Sequence, residues 1–277
     1  MKRQLIGILF IAGLAPALTF ASASGSTSPA PEAAVTRARH WDLVVNDRFD
    51  SGRVPKHWAK YDGPYGSGPH NCARPGHAFV RNGSLHMVLR YRASGGCGPG
   101  WYSAGMKLAK RFESVDQKIS VRFRVKSVGG ITGHRIIPMR WPSSNESSSG
   151  GEEDYCEGSP LGSCLTFLHY GDQQKYHRYR VDLTRWHTMT FVRRNFNVRA
   201  YIDGVRRWVY HGNRTTLPAT LKRPVLQQEC QHDGCPSGTG GREVIFITWI
   251  KVWNPSTASR VDSSLSDAEP DGATGIT

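Results

Sequence analysis

The sequence predicts an all-β protein in which two antiparallel sheets pack face to face as a sandwich. Short segments of alternating apolar and polar residues recur along the chain, and turns rich in glycine and proline separate them. No stretch of twelve or more residues shows the 3.6-residue apolar period of an amphipathic helix. Short strands in such a succession are typical of two sheets that cover each other.

Four segments carry the clearest strand patterns. In residues 119–126 every second residue is apolar and the others are Ser, Arg or Lys, so one face points inward and the other toward water. Residues 84–91 show the same alternation, and residues 196–202 lead into the Asp-Gly hairpin signal at 203–204. The run VIFITWIKVW at 244–253 predicts a strand buried on both faces.

The chain ends lie outside the sandwich domain, which we place at residues 40–255. Residues 1–23 combine two basic residues, an apolar run and a small-residue cleavage site, the pattern of a secretory signal peptide. A membrane anchor is the alternative, and Pro16 within the short apolar run disfavours it. Residues 24–39 read as a flexible segment and residues 256–277 as a disordered tail. We expect a secreted, extracellular monomer with no membrane segment after cleavage.

Six cysteines predict disulfides in an exported protein. Six cysteines allow about 15 pairings, and proximity in the sequence favours three local ones. These are Cys72 with Cys97, Cys156 with Cys164, and Cys230 with Cys235. Zinc bound by Cys230, His232 and Cys235 is an alternative, which export and the lack of a nearby fourth ligand disfavour.

The chain is strongly basic, with a formal net charge of +14 that falls to +12 when Lys2 and Arg3 leave with the signal. Such a protein is attracted to polyanions such as acidic polysaccharide, wall polymers or nucleic acid. The cations are spread along strands, as in Arg122, Arg124 and Lys126, and are not gathered in an arm or a recognition helix. The pattern therefore disfavours nucleic acid as a partner.

Glu152, Asp154 and Glu157 form a dense acidic cluster in the stretch GEEDYCEG. Like charges held close together raise one another's pKa, and unequal pKa values serve acid/base chemistry. On a regular strand Glu152 and Asp154 share a face, whereas Glu157 points away. A one-residue bulge after Asp154 brings Glu157 back, so we expect all three acids to face one groove.

Paired carboxyls of this kind suit retaining sugar hydrolysis, in which they stand about 5 to 5.5 Å apart. We assign Glu152 as the nucleophile and Glu157 as the acid/base, with Asp154 holding a proton that tunes both neighbours. A solvated turn and a calcium loop are the alternatives. Calcium prefers alternating oxygen ligands, and Tyr155-Cys156 interrupts that alternation.

The stretch WPSSNESSSGGEEDYCEG at 141–158 resembles the core of glycoside hydrolase family 16, in the laminarinase-like subgroup whose catalytic strand reads ExDxxE. The likeness covers about residues 41–254. RIIPMRWP at 135–142, the segment 169–204 that ends in a Tyr-x-Asp-Gly hairpin, and FITWIKVWNP at 246–255 resemble family strands in the same order. The resemblance implies a concanavalin-like jelly roll with a substrate cleft on its concave face.

The resemblance also implies roles for residues around the acids. Trp141 would form the floor of the subsite that binds the sugar under attack, because an aromatic face packs on the apolar hydrogens of a sugar ring. His169 would lie in the cleft near the acid/base. Trp101, Tyr102 and Tyr65, in glycine-rich loops, are candidate sugar platforms.

Two positions depart from the family pattern. Glu153 stands where relatives have an aliphatic residue, so it would face the interior and need a partner such as an Arg. It also permits a second register in which Glu153 and Glu157 do the chemistry, which we disfavour because Tyr155 would then replace the central acid. Thr248 stands at about the place of an Asp that binds structural calcium in many relatives, so we expect no calcium and no other cofactor.

These observations predict a secreted endo-acting glycoside hydrolase that cleaves β-linked polysaccharide, a β-1,3- or mixed β-1,3/1,4-glucan, by a retaining mechanism. The basic charge leaves an acidic or sulfated galactan, or transfer to another sugar, as alternatives within the same chemistry. From other classes, a non-catalytic lectin-like sandwich and a wall-associated structural protein remain.

Overall fold

A computed structural model describes residues 40–65, 71–145, 150–171, 173–230, 235 and 240–256. Within these residues the chain forms eighteen strands and two short 3-10 helices, Pro75–His77 and Lys110–Phe112. The strands are β1 (Trp41–Asp47), β2 (Trp58–Lys60), β3 (Gly63–Pro64), β4 (Asn71–Ala73), β5 (Ala78–Arg81), β6 (Ser84–Arg92), β7 (Gly100–Ser103), β8 (Gly105–Leu108), β9 (Gln117–Val128), β10 (His134–Pro142), β11 (Glu152–Gly158), β12 (Ser163–Tyr170), β13 (Gln173–Arg180), β14 (His187–Arg194), β15 (Asn197–Ile202), β16 (Val205–His211), β17 (Lys222–Glu229) and β18 (Arg242–Pro255).

The strands form two sheets, and this confirms the predicted jelly-roll sandwich. The eleven-stranded sheet runs in the order β16-β15-β14-β9-β18-β6-β7-β4-β3, with β1 beside β18 and β5 beside β6. The seven-stranded sheet runs in the order β13-β12-β11-β10-β17-β8-β2. The strand pairs are antiparallel except for β4 with β7, which is parallel.

The core lies between the sheets and follows the alternation of the sequence. Ile119, Val121 and Phe123 on β9 are fully buried, as are the inward residues of β18 and β14. From the facing sheet, Tyr155 stacks on Phe191 with ring centroids 4.4 Å apart. Burial of each large apolar side chain contributes about 1.5 to 3 kcal/mol, so this shared core holds the two sheets together.

Strand β18 corrects one prediction. Ile245, Ile247 and Ile250 are fully buried, but the residues between them are only half-buried. The eleven-stranded sheet has a core on one side only, so Phe246 and Trp253 lie on its outer face. The run of apolar residues therefore reflects an outer face rich in aromatic rings and not burial on both sides.

One of the three predicted disulfides is present, between Cys72 and Cys97. The pairings of Cys156 with Cys164 and of Cys230 with Cys235 stay predictions, and all four of these cysteines are buried. The side chains of each pair interact with each other. His232, the third member of the alternative zinc set, lies outside the described residues.

The predicted signal peptide and flexible segment at residues 1–39 lie outside the described residues, as does the tail beyond Ser256. Among the residues that the structure does describe, we find no helix with the length and apolar character needed to span a membrane.

Candidate active site

Strand β11 carries the three acids on one face of the seven-stranded sheet. Asp154 pairs with Phe167 of β12 and Glu157 pairs with Leu165, so β11 has one residue more than its partner over this interval. The structure thus contains the bulge expected after Asp154. Both residues of the bulge, Tyr155 and Cys156, point into the core, which returns Glu157 to the face of the other two acids. We call this surface of the sheet the acidic face.

A glycine allows β11 to begin where it does. Gly151 has a φ of 71°, a conformation that L side chains rarely adopt. A Cβ there would lie 1.7 Å from the ring of Tyr170. The Tyr170 ring therefore packs directly on the backbone that leads into Glu152.

Two histidines link the acids. His169 Nε2 lies 3.1 Å from Asp154 Oδ2 and 4.0 Å from Glu157 Oε2. His134 Nε2 lies 3.1 Å from Glu157 Oε1. The Asp154 side chain is 1% exposed, whereas the Glu157 side chain is 17% exposed. Glu157 is therefore accessible to a bound molecule, while Asp154 is enclosed between its neighbours.

Burial and mutual repulsion raise the pKa values of Glu152 and Asp154. Burial raises the pKa of Glu152 to about 9, and the charge of Asp154 adds to the effect while His169 opposes it. Burial, followed by the charge of Glu157, raises the pKa of Asp154 well above its usual range. Because the two groups interact strongly, the pair holds a proton that belongs to both. Asp154 is the more deeply buried of the two groups.

Glu153 points to the opposite side of β11, into a buried charge network. Tyr155 and Tyr170 donate hydrogen bonds to its two carboxylate oxygens, at 2.8 and 2.9 Å. Its cationic partners are Arg140 Nη1, Arg193 Nε at 3.3 Å and Lys222 Nζ at 3.4 Å.

These contacts determine the protonation of the network. Burial would raise the pKa of Glu153, but the three cations, Arg140 first, hold it below its usual range. Burial also lowers the pKa of Lys222 to about 8. The expected pairing of Glu153 with an Arg is present. The second register, with Glu153 as a reacting group, is wrong because this carboxylate lies on the core side and is fully buried.

Trp141 lies on the acidic face, next to Glu152. Arg140 on β10 pairs with Glu153 on β11. Because the two strands are antiparallel, Trp141, which follows Arg140, is beside Glu152, which precedes Glu153. Trp141 is half-buried and, like Tyr61, packs against a small cluster that contains Ile136, Met139 and Val225. Tyr61 is close enough for the charge of Glu152 to affect its pKa, which burial raises to about 12.

The structure corrects two of the candidate sugar platforms. Trp101 is 4% exposed and packs with Leu89 and Ile131, and Tyr102 is 1% exposed. Neither ring offers the open face that a sugar needs. Tyr65 lies edge-on to Tyr61 with centroids 5.6 Å apart, and its hydroxyl donates to backbone carbonyls, among them that of Ala104 at 3.2 Å.

Several residues of the acidic face were not predicted from the sequence. His169 stacks on Phe167 at 4.2 Å, and Phe167 stacks on Tyr176 at 5.3 Å, which gives an aromatic row across β12 and β13. Phe167 lies two residues before His169, so strand alternation was a usable signal for it. Tyr61 had no comparable signal, because a segment distant in sequence brings it to the acids. His134 comes from β10, the strand that precedes β11 and pairs with it.

Three side chains of the acidic face could hold a metal ion. Oxygen and nitrogen atoms of Asp154, Glu157 and His169 lie within 4.8 Å of one another, a set that suits a divalent transition metal by ligand type. The cavity beside Thr248 offers a poor donor set for calcium. Asp50 is the one carboxylate in its lining, and Arg48 and Lys251 are cations that do not ligate calcium.

Comparison with known proteins gives agreement at the level of the fold. No protein-family model and no curated protein sequence matches the chain. The catalytic domain of an endo-1,3-β-glucanase (laminarinase) from Thermotoga petrophila RKU-1 has a TM-score of 0.63 and 20% identity, over 79% of this chain and 100% of that one.

Two other solved structures are similar. The endo-β-1,3-glucanase from Pyrococcus furiosus has a TM-score of 0.65 and 16% identity, covering 79% of this chain and 97% of its own. A non-specific endo-β-1,3(4)-glucanase of family 16 has a TM-score of 0.66 and 17% identity, covering 78% and 92%. The two sheets and the order of their strands therefore give this chain the laminarinase-like fold of glycoside hydrolase family 16.

Proposed function

We propose that the protein is a secreted endo-acting glycoside hydrolase that cleaves a β-1,3- or mixed β-1,3/1,4-glucan with retention of configuration. The observation that carries the proposal is the placement of Glu152, Asp154 and Glu157 on one sheet face with unequal burial. The names of the similar structures, laminarinase and endo-β-1,3(4)-glucanase, support the substrate class.

Glu152 acts as the nucleophile in this proposal. A nucleophilic carboxylate must be ionised, and the proton shared with Asp154 supports that state when it resides on the deeply buried Asp154. A carboxylate oxygen of Glu152 bonds to the anomeric carbon as the glycosidic bond breaks.

Glu157 acts as the acid and then as the base. It gives its proton to the departing glycosidic oxygen, and its partial exposure between His134 and His169 supports contact with that oxygen. A water molecule then gives a proton to Glu157, and its oxygen displaces Glu152 from the anomeric carbon. Both carboxyls return to their starting states, and the sugar retains its configuration.

Aromatic rings on the two sides of β11 support binding of an extended chain. Trp141 on β10 offers a surface for the sugar under attack, beside Glu152. Tyr176 on β13, at the other end of the aromatic row, is 62% exposed. A sugar ring can stack on such a surface through its apolar hydrogens.

The decisive experiment measures reducing ends released from a laminarin-type glucan. Glu152→Gln and Glu157→Gln are each expected to lower kcat by at least about a thousandfold, because each removes a group that acts in the transition state. Asp182→Asn, an exposed loop carboxylate, is the control and is expected to keep full activity. Early products are examined by NMR, and the β-anomer must appear first.

Full turnover in either glutamine variant would exclude the assigned roles, and an α-anomer product would exclude retention. Glycan binding without any product on a panel of neutral, acidic and sulfated polysaccharides would favour the lectin-like alternative. Secretion is a proposal that rests on the pattern of residues 1–23, and mass spectrometry of the exported protein tests whether its first residue is Ser24.

A further inference from the structure

The outer face of the eleven-stranded sheet, which points away from the acidic face, carries a row of cations. On β9 every second residue from Ile119 to Val125 is buried in the core. The residues that point outward include four cations, Lys118, Arg122, Arg124 and Lys126. A strand rises about 3.3 Å per residue, so these four cations extend over about 26 Å. We call them the β9 cations.

Strand β18 lies beside β9 and places an aromatic ring next to most of these cations. Lys118 pairs with Trp253, Arg122 with Trp249, and Arg124 with Phe246. Lys118 Nζ lies 4.5 Å from the Trp253 ring centroid, and the Arg124 guanidinium lies 5.1 Å from the ring of Phe246. Such cation-π contacts hold the charged groups near the sheet instead of leaving them free in solvent.

More cations surround the row. Lys251 Nζ lies 5.4 Å from the Trp249 ring, and Arg122 and Arg124 both lie over Trp186, at 5.8 and 5.0 Å. A surface cavity of about 440 Å³ opens here, lined by Arg48, Asp50, Gly83, Thr248, Trp249 and Lys251. The outer face therefore contains both a linear row of charge and a concave site beside it.

Carboxylates are scarce on this face. The strands β6, β9, β14, β15 and β18 are described in full, and their one acidic residue is Glu243. Glu243 is fully buried on the core side, where Arg135 Nη1 lies 2.9 Å away. Asp203, in the turn after β15, has a charge that interacts with Arg122, but its own contacts are with His187 and the amide of Thr188. Strand β1, beside β18, adds the exposed Asp42, and Asp50 lines the cavity. Cations therefore outnumber carboxylates on the outer face, and the β9 cations form its densest row of charge.

We propose that the outer face of the eleven-stranded sheet binds an anionic polysaccharide, independently of the acidic face on the other sheet. Carboxylate or sulfate groups of an extended polymer meet the β9 cations, and the apolar hydrogens of its sugars meet the edges of Phe246, Trp249 and Trp253. Long-range attraction to such a surface raises the local concentration of a polyanion. Binding there leaves Glu152 and Glu157 accessible.

The geometry favours a polysaccharide over other polyanions. Single-stranded nucleic acid is bound by stacking of its bases on open aromatic faces. Here the rings of Trp253 and Trp249 have a cation over them. An anionic membrane surface is bound more firmly when apolar side chains insert into it, whereas these rings are half-buried.

The test compares two variants of equal net charge. The outer-face variant carries Lys118→Gln, Arg122→Gln, Arg124→Gln and Lys126→Gln. The control variant removes four exposed cations from the side of the other sheet: Lys110→Gln, Arg111→Gln, Lys175→Gln and Arg180→Gln. Thermal unfolding establishes that both are folded. Binding to polygalacturonate, dextran sulfate and neutral dextran is measured at low and moderate salt.

The wild-type protein is expected to bind both acidic polymers and not dextran, with an affinity that falls as salt rises. The affinity of the outer-face variant is expected to fall at least about tenfold, because this variant loses four clustered charges. The affinity of the control variant is expected to fall less than about threefold. The double change Trp249→Ala and Trp253→Ala, which keeps the charge, is expected to weaken binding of polygalacturonate severalfold.

Equal losses in the two charge variants would overturn the proposal, because net charge alone would then explain binding. Tighter binding of a twenty-nucleotide oligo(dT), or of phosphatidylglycerol vesicles, than of either acidic polysaccharide would overturn it in favour of those partners. Hydrolysis of neutral glucan is measured in parallel. Its absence in every variant would count against the proposed function and leave the binding result intact.

Discussion

Removal of the Glu153 carboxylate tests the most unusual feature of the interior. In Glu153→Gln the side chain keeps its shape, but Arg140, Arg193 and Lys222 lose the anion that they share. Tyr155 and Tyr170 also lose their charged acceptor. Breaking a buried ion pair from one side typically costs about 3 to 5 kcal/mol, because the remaining charges stay buried. Arg193 keeps its ion pair with Asp116, so the loss falls mainly on Arg140 and Lys222.

This cost is large enough to measure by urea unfolding at pH 7. With a slope of about 2 to 3 kcal/mol per molar urea for a domain of this size, the midpoint is expected to fall by about 1 to 2.5 M. Asp182→Asn, whose carboxylate is exposed, is expected to shift the midpoint by less than about 0.3 M. The slope itself is expected to stay the same in both variants.

A second variant separates the loss of charge balance from the loss of packing. Glu153→Leu with Lys222→Met removes one charge of each sign and is expected to be more stable than Glu153→Leu alone, because fewer cations remain unpaired. A midpoint shift below about 0.5 M for Glu153→Gln would refute the reasoning, since the network would then contribute little. Equal stability of the single and double leucine variants would refute the role of Lys222.

Three further predictions concern the acidic face. The raised pKa values of Glu152 and Asp154 mean that the folded protein holds a proton that the unfolded chain releases, so stability falls as pH rises from about 5 toward 9, by at most about 1.4 kcal/mol per pH unit. Thermal midpoints across this range are expected to fall less steeply in Asp154→Asn, and parallel curves would contradict the shared proton. Tyr176→Ala is expected to raise KM severalfold for long glucans with little change in kcat, as measured by initial rates on long and short substrates, and an unchanged KM would remove Tyr176 from the binding surface. Incubation with EDTA is expected to leave activity intact, because the carboxyls act without a metal, and a loss reversed by a divalent ion would instead indicate a metal at Asp154, Glu157 and His169.

The strands and the bulge could be predicted from the sequence, because both depend on the spacing of residues along one strand. Alternation along a strand fixes which residues share a face, so the inward set of β9 and the common face of Glu152 and Asp154 follow from spacing alone. The bulge was predictable because three acids can share a face only if one extra residue intervenes before Glu157.

The solvent exposure of a side chain was harder to predict from the sequence, because it depends on which other parts of the chain pack over that residue. Trp101 and Tyr102 occur in a glycine-rich loop, a setting that suggests an exposed ring, yet both are covered by the surrounding structure. For strand β18 the burial was overestimated. Its apolar run suggests burial on both faces, but the strand lies at the centre of a sheet that has one open face.

Local patterning along the chain was sufficient for the sandwich, for the strand that carries the acids and for the need to pair Glu153, since each depends on neighbours within a few positions. The identity of the partners was decided by tertiary contacts. Arg193 and Lys222 reach Glu153 from strands that are distant in sequence, and His134 reaches Glu157 through the pairing of β10 with β11. Spacing in a sequence carries no information about such distances, because strand order and sheet packing bring those groups together.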